Sequence, residues 1–333
     1  MRHCVNSSLG KTDNMTGLKS GSLTSHSQAP AADSAEELSI AARESAQLEL
    51  SIERKKEADR NLHLGGRSFY FFDFDDNVAY LTTPLILFHK KTGEELRLSS
   101  AEWALAHSLM GVPGAYEDYE IRWDDQTGTF RCFRDHQLEE LQRLGLKKQI
   151  FVHDIAEALV SPDFQWKGPS WSCFYHATFN QRPISVITAR GHDPSTIKDG
   201  IRLMVQAGFL SMEPNYLSIF PVSHKPTRQV LGDIAFTRST AELKQSAIRM
   251  SVEMALQKYG YSPHHRFGMS DDDPKNIQLI TEEMTRLKAK YPEMSFFMIE
   301  TEKGEFVKHE ITVSGSTGSY LSAEAAEQQI RLF

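Results

Sequence analysis

The chain has 333 residues, of which 40% are hydrophobic and 24% charged, a balance that excludes collagen-like, wholly disordered and disulfide-framework proteins. A net charge of −7 argues against a wholly basic nucleic-acid binder, though not against a local basic groove. Three cysteines, no apolar run long enough to span a bilayer and no apolar leader after Met1 point to a cytoplasmic protein with reduced thiols and no membrane partner.

Residues 1–35 are serine-rich, lack aromatics and show no apolar period. Such a stretch buries too little surface to offset its ordering entropy, so it reads as a disordered tail. A targeting role is the weaker alternative. Residues 36–66 read as a lead-in helix that ends by about residue 60, before Gly65-Gly66. Leu38, Ala41, Leu48 and Ile52 share one face, with Ser45 at the step between.

The register then changes. Ser68-Phe69-Tyr70-Phe71-Phe72 is a short, continuous apolar run, as expected of a strand buried on both faces. Similar runs follow at 184–187, 217–220, 266–269 and 295–299. Helical patterns lie between them at 196–207, 240–258 and 275–290. This alternation predicts an α/β fold with a doubly wound parallel sheet.

The stretch 80–165 interrupts the alternation. It predicts one hairpin (Leu85–Phe88 with Glu95–Leu98), a helix at 100–109, a second hairpin turning at Asp124–Gly128, and short helices at 137–144 and 153–160. The expected division is therefore a core of 67–79 and 166–310, an insertion at 80–165 and a C-terminal extension at 311–333.

The acids are not evenly spread. Asp73, Asp75 and Asp76 stand directly after the first strand. Open α/β sheets bind ligands at the carboxyl ends of their strands. Asp73 and Asp75 are two apart, so an extended chain points both the same way. Crowded carboxylates repel unless a cation joins them, and a hard cation such as Mg²⁺ suits oxygen donors. Asp271-Asp272-Asp273 forms a second cluster, after another strand and at a helix start. One aspartate would suffice as a helix cap. Between the clusters, Thr188 ends an apolar strand just before Ala189-Arg190-Gly191, where a hydroxyl and free backbone N–H groups can hold a phosphate.

Together these segments resemble the haloacid dehalogenase superfamily, most of whose members are phosphatases. Asp73-Phe74-Asp75 is similar to its first motif, Ile187-Thr188-Ala189-Arg190 to its second and Asp271-Asp272 to its fourth, in the same order. The run from Asp271 to Asn276 resembles the variant found in some nucleic-acid-end and protein phosphatases of the superfamily. The third-motif lysine is Lys244, near the start of its helix, or else Lys225. Asn77 departs from the threonine common at that place.

The resemblance implies a Mg²⁺-dependent phosphomonoesterase acting through an aspartyl-phosphate. Asp73 would be the nucleophile and Asp75 the acid and base. Asp73, the Asp75 carbonyl and Asp272 would hold Mg²⁺, while Thr188 and Lys244 would bind the phosphoryl oxygens and Asp271 would support Lys244 or a metal-bound water. The 80–165 insertion would be the cap that selects the substrate. A phosphorylated small molecule is the favoured substrate, with a nucleic-acid or protein phosphate as alternatives. A catalytically idle binding module of the same fold is the rival function. Arg190 is a supporting candidate that could reach substrate phosphate, against the plainer expectation of a surface arginine. His264-His265 and the Trp166–Trp171 segment are weaker candidates, the first for a metal and the second for a substrate entrance or a stacked base. A loop pair and core packing are their plainer readings.

Overall fold

A computed structural model describes residues 55–136, 148–301 and 306–312, with the backbone alone at 315–320. The tail at 1–35, the lead-in helix up to residue 54, the short helix at 137–144 and the end of the C-terminal extension lie outside the described residues.

The main sheet is built from β1 (Ser68–Phe72), β5 (Pro183–Thr188), β6 (Asn215–Pro221), β7 (Arg266–Asp271), β8 (Ser295–Glu300), β9 (Val307–Thr312) and β10 (Gly315–Tyr320). Their order is β10-β9-β8-β7-β1-β5-β6. From β8 to β6 every pairing is parallel. β9 and β10 extend the β8 edge in antiparallel fashion, so the sheet continues past residue 310.

Helices α5 (Pro194–Gln206), α6 (Lys225–Val230), α7 (Thr240–Tyr259) and α8 (Pro274–Lys290) connect the parallel strands. The result is a mostly parallel α/β sheet of Rossmann-like type.

All five residues of β1 are buried, because β1 is central and covered on both faces. Its side chains alternate. Phe69 and Phe71 join a cluster with Leu243, Ala247 and Ile248 of α7 and Ile280 and Met284 of α8. Tyr70 and Phe72 face the opposite cluster, with Ile197 and Ile201 of α5. The helix starts follow local chemistry. Ser239 and Glu242 form a capping box at α7, and Asp193-Pro194 and Asp273-Pro274 open α5 and α8.

The chain runs from β1 outward to β5 and β6, then crosses back to β7 and β8 on the other side of β1. The direction of winding thus reverses between β1 and β7. The carboxyl ends of those two strands flank the crevice where open α/β sheets take their ligands.

In the insertion, β2 (Leu85–His89) pairs antiparallel with β3 (Glu95–Leu98), as the first hairpin predicts. Helix α1 (Ser100–Leu109) follows, and β4 (Tyr119–Glu120) adds to the other edge of β2. The expected second hairpin is not formed. The Asp124 carboxylate accepts from the backbone of Gln126 and Thr127 and makes the turn, but the returning residues Arg131–Phe133 adopt a 3-10 turn rather than a strand. α2 (Ile150–Ala158) places Phe151 and Ile155 in the core cluster beside α5. Two further helices, α3 (Asp163–Trp166) and α4 (Trp171–Phe179), were not expected from the sequence.

The lead-in segment also departs from expectation. Residues 55–59 are not helical. Asp59 is buried and pairs with Arg182 at 3.0 Å, and the Glu57 backbone donates to Asn180 and accepts from Arg182. These bonds hold the segment against the loop between α4 and β5. No helix among the described residues is long and apolar enough to cross a membrane.

Candidate functional site

The parallel register sets the site. Phe72 lies opposite Ser270, and the Asp73 backbone N–H donates to the Ser270 carbonyl at 3.0 Å. Asp73 therefore leaves β1 beside the end of β7, where Asp271 and Asp272 follow. One carboxylate oxygen from each of Asp73, Asp271 and Asp272 lies within 4.8 Å of the others.

One cation answers this crowding. Lys244 of α7 is fully buried, and its Nζ lies 3.0 Å from Asp73 Oδ2 and 2.6 Å from Asp271 Oδ2. Lys244 is thus the lysine that meets the acids. Lys225 instead pairs with Asp125 of the insertion at 2.5 Å and is largely exposed.

Asp271 is the best supported acid. Its second oxygen accepts from the Asp273 N–H and from the Asn276 amide, each at 3.1 Å. Asp73 is less well served, since its buried Oδ1 has no hydrogen-bond partner. Burial drives the Asp73 carboxyl well above its ordinary value. Lys244 opposes this, and Asp271, Asp272 and Asp75 add to it. Burial, then Asp271, pushes Asp272 up to about 7. Burial would release the Lys244 proton, but Asp271 and Asp73 outweigh it and hold the ammonium above its ordinary value. Several acids, one ammonium and an unpartnered carboxylate oxygen make a site short of positive charge.

The strand ends are fastened from behind. Asn77 donates from its amide to the Asp73 carbonyl at 3.0 Å and to Ser270 Oγ at 2.8 Å. Its carbonyl accepts from Thr301 Oγ1 at 2.9 Å, and the Thr301 N–H donates to the Asp271 carbonyl at 3.2 Å. Two side chains thus tie β1, β7 and β8 together directly beneath the acids. The sequence singled out Asn77 only as a departure from threonine, Asn276 only as the end of the run from Asp271, and Thr301 not at all. Thr301 had a signal, since it ends an apolar strand as Thr188 does.

A second group adjoins the first. The tight turn at 74–79, with Asp76 at φ 56°, carries Asp75 toward the end of β5. There the Arg190 Nε donates to Asp75 Oδ2 at 2.8 Å and its Nη2 to Oδ1 at 2.6 Å. Thr188 Oγ1 lies 3.3 Å from Asp75 Oδ2 and accepts from the Arg190 N–H. The plainer expectation of a surface Arg190 fails. The side chain is fully buried, because the carboxylate and the flanking rings of Phe133 and Phe151 solvate it in place of water.

The returning segment of the insertion docks on the same loop. The Gly191 N–H donates to the Phe133 carbonyl at 2.8 Å, and Asp135 Oδ2 accepts from the Asp193 N–H at 2.8 Å.

The weaker candidates lie elsewhere. His265 is buried and satisfied by the Arg67 N–H and the Gly260 carbonyl, at the opposite end of β7. Trp166 and Trp171 pack edge to face, 4.6 Å apart, within the core. No family model matches the chain, and searches of curated proteins and of solved structures likewise return no match.

Proposed function

We propose that the protein is a Mg²⁺-dependent phosphomonoester hydrolase of the haloacid dehalogenase type. The observation that carries this is the cluster at the winding reversal: Asp73 at the end of β1, with an unpartnered buried oxygen, facing Lys244 and the Asp271-Asp272 pair. The motif order Asp73-x-Asp75, Thr188, Lys244, Asp271-Asp272 supports it.

Asp73 would attack the substrate phosphorus. Asp75 would give a proton to the leaving oxygen and take one from the water that hydrolyses the aspartyl-phosphate. Thr188 and Lys244 would hold phosphoryl oxygens, and Lys244 would also offset the carboxylates. The donor set fits a hard divalent cation, because Asp73 Oδ1 and Asp272 are oxygen donors not already satisfied by Lys244. Asp73, Asp272 and the Asp75 backbone carbonyl would hold it. When bound, Mg²⁺ supplies charge neutralisation between carboxylate and phosphate. The 80–165 insertion is proposed as the cap.

One observation favours the rival, a phosphate-binding module without turnover: both oxygens of Asp75 accept from the buried Arg190, whose charge opposes the proton that an acid must carry, although the same fork fixes the plane of the carboxylate. The test is turnover of a broad phosphoester panel with and without Mg²⁺, comparing wild type with Asp73→Asn. The panel includes small metabolites, a phosphopeptide and a 3′-phosphorylated oligonucleotide. Mg²⁺-dependent release of phosphate, abolished in the variant, is expected. Absence of turnover on every member would sink the enzyme assignment.

A further inference from the structure

We infer that Arg190 is a positioning residue for Asp75: it fixes the plane of that carboxylate and ties it to the inserted segment, so that proton delivery to the leaving group depends on it. This rests on the phosphatase assignment above and adds a residue that the motif order does not assign.

The geometry is specific. Arg190 Nε donates to both Asp75 oxygens, at 3.1 and 2.8 Å, and Nη2 donates to Oδ1 at 2.6 Å. A fork of this kind sets orientation as well as distance, which an ammonium does not. Arg190 is wholly buried, whereas 22% of the Asp75 side chain is exposed. Only the carboxylate end of the pair therefore faces outward.

The guanidinium is itself held. Its Nη2 donates to Thr83 Oγ1 at 2.7 Å, and Thr83 Oγ1 donates to Asp154. The guanidinium carbon sits 4.8 Å from the Phe133 ring centre and 4.7 Å from that of Phe151. Thr83 stands where the chain enters the insertion, and Phe133 and Phe151 where it returns. One buried cation thus joins the turn after β1, the end of β5 and both limbs of the insertion. Its Nη1 is buried with no hydrogen-bond partner, so the hold on the guanidinium runs through Nε and Nη2, and the supporting role read from the sequence becomes a role through Asp75.

The chemical consequence depends on the leaving group. As a bond forms between an Asp73 oxygen and phosphorus, the bond from phosphorus to the leaving oxygen breaks and its electron pair stays on that oxygen. A poor leaving group needs the Asp75 proton at that moment and departs as a neutral alcohol. A nitrophenolate is stable as an anion and departs without it. Loss of Asp75 positioning should therefore lower kcat/KM selectively for alkyl phosphates, because kcat/KM reports formation of the aspartyl-phosphate, whereas kcat also carries its hydrolysis, in which Asp75 is the base whatever the ester.

The experiment compares wild type, Arg190→Lys, Asp75→Asn and the double variant on an alkyl phosphate of the panel and on 4-nitrophenyl phosphate, with Mg²⁺ present. Arg190→Lys should lower kcat/KM on the alkyl ester about 100-fold and on the nitrophenyl ester by less than about fivefold. In the Asp75→Asn background it should cost nothing further. Equal losses of kcat/KM on the two esters, or a further loss in that background, would overturn the inference while leaving the phosphatase assignment standing. No turnover of the whole panel by wild type would defeat both. If Arg190→Lys does not fold, Thr83→Val answers in its place, since it frees Nη2 from the insertion and keeps the Asp75 pair. A loss of kcat/KM confined to the alkyl ester supports the inference, and a uniform loss of kcat/KM or none overturns it.

Discussion

Asp272 links cation binding to pH with a definite sign. In the metal-free protein its carboxyl is carried from the ordinary 3.8 to about 7, by burial first and Asp271 second. A carboxyl raised in the folded state favours folding below its unfolded value and loses that favour as pH climbs toward the folded value. At about 1.36 kcal/mol per pH unit, the loss between pH 4 and pH 7 is at most about 4 kcal/mol. Asp272 is only partly buried, and solvent screening reduces the figure to about 2 kcal/mol. A cation competes with the proton for the same oxygens, so it restores this stability only where the proton has left. The assay is thermal unfolding in Mg²⁺ against EDTA across this range. The difference in Tm should be near zero at about pH 5 and reach about 5 °C at about pH 7.5. It should shrink markedly in Asp272→Asn. A Mg²⁺ effect that is flat with pH, or undiminished in that variant, would refute the reasoning.

Other outcomes are equally definite. Lys244→Met leaves Asp73 and Asp271 buried without their cation, so chemical denaturation should show a loss of about 3–5 kcal/mol, part of it recovered with Mg²⁺. His192 is fully buried, with neither ring nitrogen partnered. Burial first, then Arg190, lowers it to about 2. The unfolded chain binds that proton first, so stability falls as pH drops below about 6.5. Unfolding followed at pH 4 should show His192→Phe flattening this decline by about 3 kcal/mol. A Cβ at Gly168 would sit 2.3 Å from the Asn77 carbonyl oxygen. Gly168→Ala should therefore cost about 1–3 kcal/mol and, by shifting the turn that carries Asp75, lower turnover as well.

The parallel strands and the long helices were legible because each carries its own pattern. The continuous run of β1 can be satisfied only with both faces covered, and Ser239 with Glu242 announces α7 from within four residues. The acidic strand ends were legible as a chemical anomaly, since carboxylates seldom follow so apolar a run without a reason. What escaped depends on partners distant in sequence. Residues 55–59 continue a helical pattern, yet they are not helical and are held by Arg182 and Asn180. Arg190 reads as a surface residue until Asp75, Thr83, Phe133 and Phe151 close around it. Thr301 and Asn77 meet only because β8 and β1 both flank β7. The second hairpin stops just past its turn: Asp124 makes the turn and the Thr129 N–H donates to the Arg122 carbonyl, but Arg131–Phe133 then wind into a 3-10 turn instead of a strand.

The reversal of winding between β1 and β7 also bears on how the protein comes to be whole. Asp73 and Asp271 are far apart in the chain, and they become neighbours only through the parallel pairing of β1 with β7, with β5, β6 and their helices lying between the two in sequence. Such distant closures are slow, because the entropy of the intervening loop must be lost before the contact returns anything. A nascent chain that has emerged only as far as Thr188 holds the first acidic turn but lacks both the ammonium and the second pair of carboxylates. Cation capture at this crevice would therefore report completion of the central sheet, and a divalent ion would act as a late clasp on the finished chain rather than as a template for its early folding.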